Sequence, residues 1–346
     1  MPPPMKIRTT PSLRALIATA TGVLLCSALA VRAAAPHDWT LEAPEPAIPL
    51  VPATLDELDA FSCTECHREI VEEWASSAHG LAWVDEEYQE SLEDRRRPEQ
   101  CYDCHIPQNL VETGEVAKKV KPREDNLVHG ISCDSCHLGP DGAYLGPWGA
   151  PTSAHASVAS PIHQGAGSDA LCIVCHARNV GPVIGIAKDY QKKFAGEGKE
   201  TCVGCHMAPV ERRWGTPAEG EEEPPIRSGR SHALQTPRDP AFLRQAFELS
   251  ASKTDAGCVV TIGNRAGHRI PGLIGREIEF QAKVLDASGK VIAEGEVGID
   301  KRRFLPVGGE TRIELEKAGT EVHVIGIHDA PTAIKPIEFL DVRLPL

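Results

Sequence analysis

Hydrophobic and polar residues follow two different patterns in the two halves of the chain. Between residues 55 and 208, short runs with helical spacing, such as 66–82 and 85–94, are separated by loops rich in glycine and proline. From about Phe247 the period changes to two, and in 277–284 apolar residues alternate with polar ones. The first half is therefore predicted to be mainly helical and irregular, and the second half to be a β domain.

The alternation recurs at about ten-residue spacing, and turn signals such as Gly308-Gly309 lie between the runs. The predicted strands are 258–262, 278–284, 291–299, 312–316, 322–327 and 337–344. Roughly seven strands in about 100 residues predict an all-β immunoglobulin-like sandwich at 241–346. An exposed sheet edge along 341–346 is a candidate site of self-association.

The N-terminus has the pattern of an export signal. Three basic residues, Lys6, Arg8 and Arg14, precede an apolar run at 15–30 that ends in small residues. A permanent transmembrane helix is the alternative, but the run is shorter than the ~20 residues that span a bilayer. We therefore predict a signal peptide at 1–35, no membrane span after its cleavage, and a periplasmic or extracellular mature protein.

A proline-rich stretch at 36–54 follows and is predicted to be an extended arm, before a first domain at 55–240. Cleavage removes four basic residues, so the formal net charge changes from −13 to −17. An acidic chain argues against nucleic acid and anionic membranes as partners and favours a redox partner protein with a basic docking face. Equally, the charge could serve only to keep a secreted protein soluble.

Cysteine and histidine supply the chemistry of the chain, which has 12 Cys and 14 His. Ten of the cysteines form five Cys-x-x-Cys-His repeats: Cys63, Cys66 and His67; Cys101, Cys104 and His105; Cys133, Cys136 and His137; Cys172, Cys175 and His176; Cys202, Cys205 and His206. In such a repeat both thiols bond to the vinyl groups of one haem, and the histidine is the proximal ligand of its iron. Zinc ribbons and redox dithiols also use Cys-x-x-Cys, but they do not require the histidine. Five covalent haems c are therefore predicted.

Histidines are also the predicted distal ligands of these irons. Met207 is the only methionine beyond the signal peptide, and it directly follows His206, so it cannot reach the opposite face of that haem. Six histidines outside the repeats are well placed, against five irons: His79, His129, His155, His163, His232 and His268. At least one of them is surplus. His37, His323 and His328 are weaker candidates, and the remaining cysteine, Cys258, is expected to be a buried small hydrophobe.

Residues 61–271 resemble the multihaem c-type cytochromes that include the tetrahaem electron acceptors of hydroxylamine oxidoreductase. The resemblance rests on Trp74 and His79 after the first repeat, Gly130 to His137, Gly146-Pro147 before His155 and His163, Cys205 to Pro209 before His232, and Gly267 to Pro271. It implies bis-histidine haems stacked as an electron wire, in a fold whose core is largely porphyrin. Five haems on about 145 residues leave little apolar side chain for another core, so the haem-free chain should be largely unfolded.

Periplasmic or extracellular electron transfer is therefore the leading hypothesis for the function. The alternative is a multihaem oxidoreductase in which one open iron, aided by Arg212, Arg213 or Arg269, acts on a small nitrogen or sulfur compound. The sequence lacks a Cys-x-x-Cys-Lys variant and a tyrosine cross-link motif, which places catalysis in doubt. A third hypothesis takes the β domain as a docking or polymer-forming module, and it is compatible with the first.

Overall fold

The computed structural model describes residues 62–149, 152–330 and 335–346. All of these residues belong to one compact unit. The predicted signal peptide at 1–35 and the arm at 36–54, with Cys26 and His37, lie outside the described residues, and the domain boundary at 240 stays a prediction. In the described ranges no helix has both the length and the apolar composition needed to cross a membrane.

The first half of the chain is built from short helices, as its sequence pattern predicts. They are α1 Thr64–Ala75, α2 Glu86–Glu93, α3 Glu99–His105, α4 Cys133–His137, α5 Asp169–His176, α6 Ile186–Lys193, α7 Cys202–His206 and α8 Pro240–Gln245. Helix α1 ends earlier than its predicted limit at residue 82. The hydroxyls of Ser76 and Ser77 donate to the carbonyls of Glu73 and Trp74, and they compete with the continuation of the helix.

Among the described residues of this half, the strands form three very short pairs. The pairs are β1 Val111–Glu112 with β2 Glu115–Val116, β3 Tyr144–Gly146 with β4 Ser157–Ala159, and β5 Pro209–Arg212 with β6 Arg227–Arg230. Single 3₁₀ turns lie at Leu127–His129, Pro161–His163 and Gly165–Ser168. The apolar cluster around α1 has three buried members, Val71, Trp74 and Ala75. Other buried apolar residues, such as Ile106 and Val120, lie outside it. The buried apolar side chains described in this half therefore do not join into one large core.

The second half consists of two antiparallel sheets. Its strands are β7 Phe247–Thr254, β8 Gly257–Asn264, β9 Glu277–Leu285, β10 Val291–Ile299, β11 Glu310–Leu315, β12 Glu321–Asp329 and β13 Ile337–Pro345. One sheet has the order β11-β8-β7 and the other β10-β9-β12-β13. All six predicted strands are confirmed, and β7 is the seventh. The immunoglobulin-like type stays a prediction.

One apolar core of eighteen buried residues joins the two sheets. Val260 and Ile313 contribute to it from one sheet, and Phe280 and Val324 from the other. Cys258 is also part of this core and is 1% exposed, as expected for a small hydrophobe. The β domain therefore has a conventional core that the first half lacks.

Replacing Phe280 tests this core. Phe280 is fully buried and packs edge-on against Phe247 and Phe339. We expect Phe280→Ala to lower the free energy of unfolding by about 3–5 kcal/mol because it leaves a cavity. Val291 is 44% exposed, so Val291→Ala is the control and should change stability by less than about 0.5 kcal/mol. Chemical denaturation of both variants measures the difference, and equal stabilities would contradict the assignment of the core.

Candidate haem-binding site

Each Cys-x-x-Cys-His repeat lies in a turn of helix. The first begins α1, with Cys63 as its N-cap, and the others form the C-terminal ends of α3 and α5 or the whole of α4 and α7. In a helix, residues i, i+3 and i+4 lie on one face. Both thiols and the imidazole of a repeat are thereby directed to the same side, which fits attachment of one haem across that face.

Four of the repeat histidines direct Nδ1 at a backbone carbonyl. The contacts are His67 to Trp214 at 2.5 Å, His105 to Ala82 at 2.5 Å, His137 to Leu145 at 2.7 Å and His206 to Gln235 at 2.8 Å. A nitrogen that faces a carbonyl is the one that carries the proton, so Nε2 keeps the lone pair that binds a metal. Burial lowers the pKa of all four imidazoles, which favours the neutral form that ligates iron.

Four repeat histidines also face a histidine from a distant part of the chain. The ring centroids are 6.3 Å apart for His67 and His155, His176 and His79, and His206 and His268, and 6.1 Å apart for His137 and His232. Two imidazoles that bind one metal ion from opposite sides have ring centroids about 6 Å apart, because each metal–nitrogen bond is about 2 Å long. These four pairs have the spacing that bis-histidine ligation of an iron requires.

His79 lies beside the fourth repeat because a hydrogen bond from the segment before the third repeat fixes its backbone. The Ile131 N–H donates to the His79 carbonyl at 2.9 Å, and the Trp74 indole donates to the Ile131 carbonyl at 2.8 Å. Gly130 has φ +50, and a Cβ there would lie 2.4 Å from the His79 carbonyl oxygen. Burial lowers the pKa of His79 to about 3, so its ring is neutral.

Glu73 and Arg212 fix the position of His232 beside the third repeat. One Glu73 carboxylate oxygen accepts a hydrogen bond from the Arg212 guanidinium at 2.7 Å and another from the backbone N–H of His232 at 2.8 Å. The Nδ1 of His232 is buried and has no hydrogen-bond partner. Burial lowers the pKa of His232 to about 4.

His163 also contacts the third repeat, but with a different geometry. Its ring stacks on His137 with centroids 4.8 Å apart, too close for a metal ion bound between two ring nitrogens. Its Nε2 lies 3.1 Å from the Cys136 carbonyl, and its Nδ1 is buried without a hydrogen-bond partner. Of the two histidines beside His137, His232 therefore has the better geometry for the distal ligand.

The β domain supplies His268, and helix α6 holds its loop. Arg269 forms an ion pair with Asp189 and lies over the Phe304 ring at 4.4 Å. Gly267 packs against α6 so closely that a Cβ would lie 2.9 Å from the Phe194 ring. The Nδ1 of His268 faces the Arg269 carbonyl at 2.8 Å, which leaves Nε2 for the fifth repeat.

Three other histidines have different surroundings. His129 lies in a cavity of about 500 Å³ whose walls include Arg123, Asp125 and, from the third repeat, Asp134. His323 forms an ion pair with Asp341 at 2.7 Å when protonated, and His328 is buried in the β domain. His323 and His328 face no repeat histidine among the described residues.

The second repeat differs from the others. Within the described part of the chain, the ring beside His105 belongs to Tyr88, which stacks on it with centroids 3.7 Å apart and planes 5° apart. The Tyr88 hydroxyl is buried without a hydrogen-bond partner. Asp85, the N-cap of α2, accepts from the Tyr88 N–H and lies near His105. Tyr88 lies at the site but belongs to no sequence motif, so the sequence alone does not identify it.

The thiols of different repeats come together in a defined order. Side-chain contacts join Cys63 to Cys133, Cys104 to Cys175 and Cys172 to Cys202, and Cys136 lies near Cys172. The first repeat therefore neighbours the third, the third neighbours the fourth, and the fourth also neighbours the second and the fifth.

A buried carboxylate links the fourth repeat to the fifth. Asp169, in the first turn of α5, is 6% exposed and accepts from the Cys202 N–H at 2.7 Å and from the Tyr190 hydroxyl at 2.6 Å. Hydrogen bonds to a carboxylate are stronger than those between neutral groups, and Asp169 makes two of them. Sequence reasoning did not identify Asp169, because no local pattern distinguishes it from a helix-starting aspartate.

Comparisons with known proteins match the first part of the chain to a cytochrome family. Residues 62–138 match the family model described as cytochrome c554 and c-prime. A comparison with curated proteins returns no match. The resemblance to the multihaem c-type cytochromes is thereby confirmed over the first three repeats, and the match supports haem c as the cofactor.

Among solved structures, the chain is similar to a penta-heme cytochrome c552 from Thermochromatium tepidum. The TM-score is 0.54 at 14% identity, over 82% of this chain and 97% of that chain. At this identity the likeness shows the fold, which includes both the helical half and the β domain of the present chain.

Proposed function

We propose that the chain binds five haems c and conducts electrons through them. The observation that carries the proposal is the set of four histidine pairs with ring centroids 6.1–6.3 Å apart, each joining a repeat to a distant histidine. An iron with two histidine ligands has no open position and changes only its oxidation state, which suits a carrier. The five repeats and the penta-heme neighbour support the number of haems.

The contacts between thiols support a branched order of the haems. The proposed main path joins the first, third, fourth and fifth repeats, and the second repeat branches from the fourth. Electrons would enter or leave at the first, second and fifth haems. The fourth haem is then the junction of the path.

Replacement of His232 and His163 tests the distal assignment at the third repeat. We expect His232→Ala to convert one haem to a high-spin ferric state that binds carbon monoxide after reduction. His163→Ala should leave all spectra unchanged, because His163 is directed at the Cys136 carbonyl. Electron paramagnetic resonance and carbon monoxide difference spectra of the two holoproteins measure this, and the reverse outcome would assign the ligand to His163.

The proposed location is the periplasm or the cell exterior, where c-type cytochromes act after export. The acidic composition supports a redox partner with a basic docking face. Electron transfer to such a partner should slow as salt rises, because exposed charges are screened beyond about 10 Å at 0.1 M. A rate that does not depend on ionic strength would argue that the charge serves solubility only.

Self-association through the β domain stays a separate proposal. Strand β13 lies at the edge of its sheet, beside β12, and its outer side offers unpaired backbone groups. Mass under native conditions reports whether copies associate. A monomeric mass across the micromolar range would contradict this proposal and leave electron transfer unaffected.

Catalysis at the second haem is the second candidate function, and the environment of His105 favours it. The ring beside His105 is Tyr88 where the other four repeat histidines have a histidine. The arginines considered as catalytic aids are neutralised, since Arg212, Arg213 and Arg269 form ion pairs with Glu73, Glu223 and Asp189. A high-spin signal in the unmodified holoprotein would support an open second haem, and wholly low-spin spectra would exclude it.

A further inference from the structure

A basic cluster lies where the β domain meets the 235–239 segment, and it consists of Arg238, Arg276 and His328. His328 is fully buried, and both arginines are partly exposed. His328 in β12 is the register partner of Ile278 in β9. Arg276 lies in the turn directly before β9, and its charge acts on His328, so the two side chains are near neighbours. Arg238 approaches from the segment that precedes α8.

Polar atoms in this cluster are buried and unpaired. His328 is 0% exposed, and neither of its ring nitrogens has a hydrogen-bond partner. The Pro237 carbonyl faces the ring but does not reach hydrogen-bonding geometry. The Nε of Arg276 is also buried without a partner. Buried polar groups are almost always hydrogen-bonded, so several unpaired nitrogens in one place require an explanation.

Carboxylates lie near two members of the cluster but not near Arg276, as far as the described residues show. Arg238 pairs with Asp85 at 3.9 Å and also acts on Glu87, and Asp329 lies near His328. No ion pair is formed by Arg276 among the described residues, whereas Arg212 and Arg269 each have a close carboxylate. Burial, and then the charge of Arg238, lower the pKa of Arg276 to about 10, and burial, and then the charge of Arg276, lower the pKa of His328 to about 4.

We propose that Arg238, Arg276 and His328 form a binding site for one carboxylate or small oxyanion. The planar guanidinium groups offer paired donors that match carboxylate and oxyanion geometry, and the anion would supply the missing charge and acceptors. Two sources have this chemistry. One is a propionate of the porphyrin on the second repeat, since Asp85 lies beside both Arg238 and His105, and this source rests on the proposed function. The other is a free oxyanion such as sulfate.

The test compares holoproteins that carry Arg276→Gln or Arg302→Gln with the unmodified chain. Arg302 is exposed in the same domain and serves as the matched control. Haem content of each protein is measured first, so that a failure of haem attachment is distinguished from a failure of this site. Thermal unfolding is then followed against sulfate concentration, and haem reduction potentials are measured by spectroelectrochemical titration.

A free oxyanion site predicts an unfolding midpoint that rises and saturates with sulfate in the unmodified and control proteins but not in Arg276→Gln. A propionate site predicts no such difference. Instead, the reduction potential of one haem falls in Arg276→Gln, because loss of a nearby positive charge favours the ferric state, and the unfolding midpoint falls as well. The proposal is overturned if Arg276→Gln has unchanged haem potentials and an unaltered response to sulfate, whatever its unfolding temperature.

Discussion

Without haem attachment, residues 62–239 are expected to be largely unfolded while the β domain at 241–346 remains folded. The β domain buries eighteen residues in one apolar core, whereas the cluster described around α1 has three. Burial of apolar side chains is the main source of folding free energy. The first half therefore depends on porphyrin to fill its interior, and the second half does not.

Production of the chain in cells that lack the c-type maturation system provides the haem-free protein. Its circular dichroism should show strands with almost no helix, and limited proteolysis should leave a resistant fragment that begins near Phe247. The holoprotein, treated in the same way, should resist cleavage between residues 62 and 239. A haem-free chain with native helix content in α1 to α7 would contradict this account of the core.

Removal of the fourth haem is expected to interrupt electron transfer more than removal of the first. The thiols of Cys172 and Cys175 contact or approach those of the second, third and fifth repeats, whereas the Cys63 thiol contacts that of the third. Loss of the fourth haem would separate the remaining haems into disconnected groups. Loss of the first would shorten the path at one end.

Two double variants make this comparison with matched chemistry. Cys172→Ser with Cys175→Ser, and Cys63→Ser with Cys66→Ser, should each carry four haems instead of the five that the repeats predict. We expect stopped-flow reduction of the first variant to become strongly biphasic, with a large slow fraction, and that of the second to lose amplitude with little change in rate. Similar kinetics in both variants would contradict the proposed order of haems.

The β domain could be predicted from the sequence because a half-buried strand has an apolar residue at every second position. The 277–284 segment alternates in the sequence, and the corresponding residues of β9 alternate between buried and part-exposed. Strand β7 was harder to predict, since Phe247 is its one buried residue and, apart from Leu249, the rest of the strand is polar or small. At the edge of a sheet the periodic signal is weak.

The haem-attachment residues were equally readable, because covalent attachment requires a fixed local spacing. Their distal partners were not. His79 lies closest in sequence to the first repeat but faces His176 of the fourth, and His155 lies nearest to the third and fourth repeats but faces His67 of the first. The pairing of histidines depends on the path of the loops in the folded protein. The spacing of the histidines along the chain does not reveal that path.

The mass and haem content of the purified mature protein test the central proposal most directly. Intact mass spectrometry together with a pyridine haemochrome assay counts the haems bound by thioether bonds. The five repeats predict a mass equal to the polypeptide plus five haems, which denaturation and acid acetone do not remove. A mass equal to that of the bare polypeptide after correct maturation would contradict covalent haem and the electron-transfer function that depends on it.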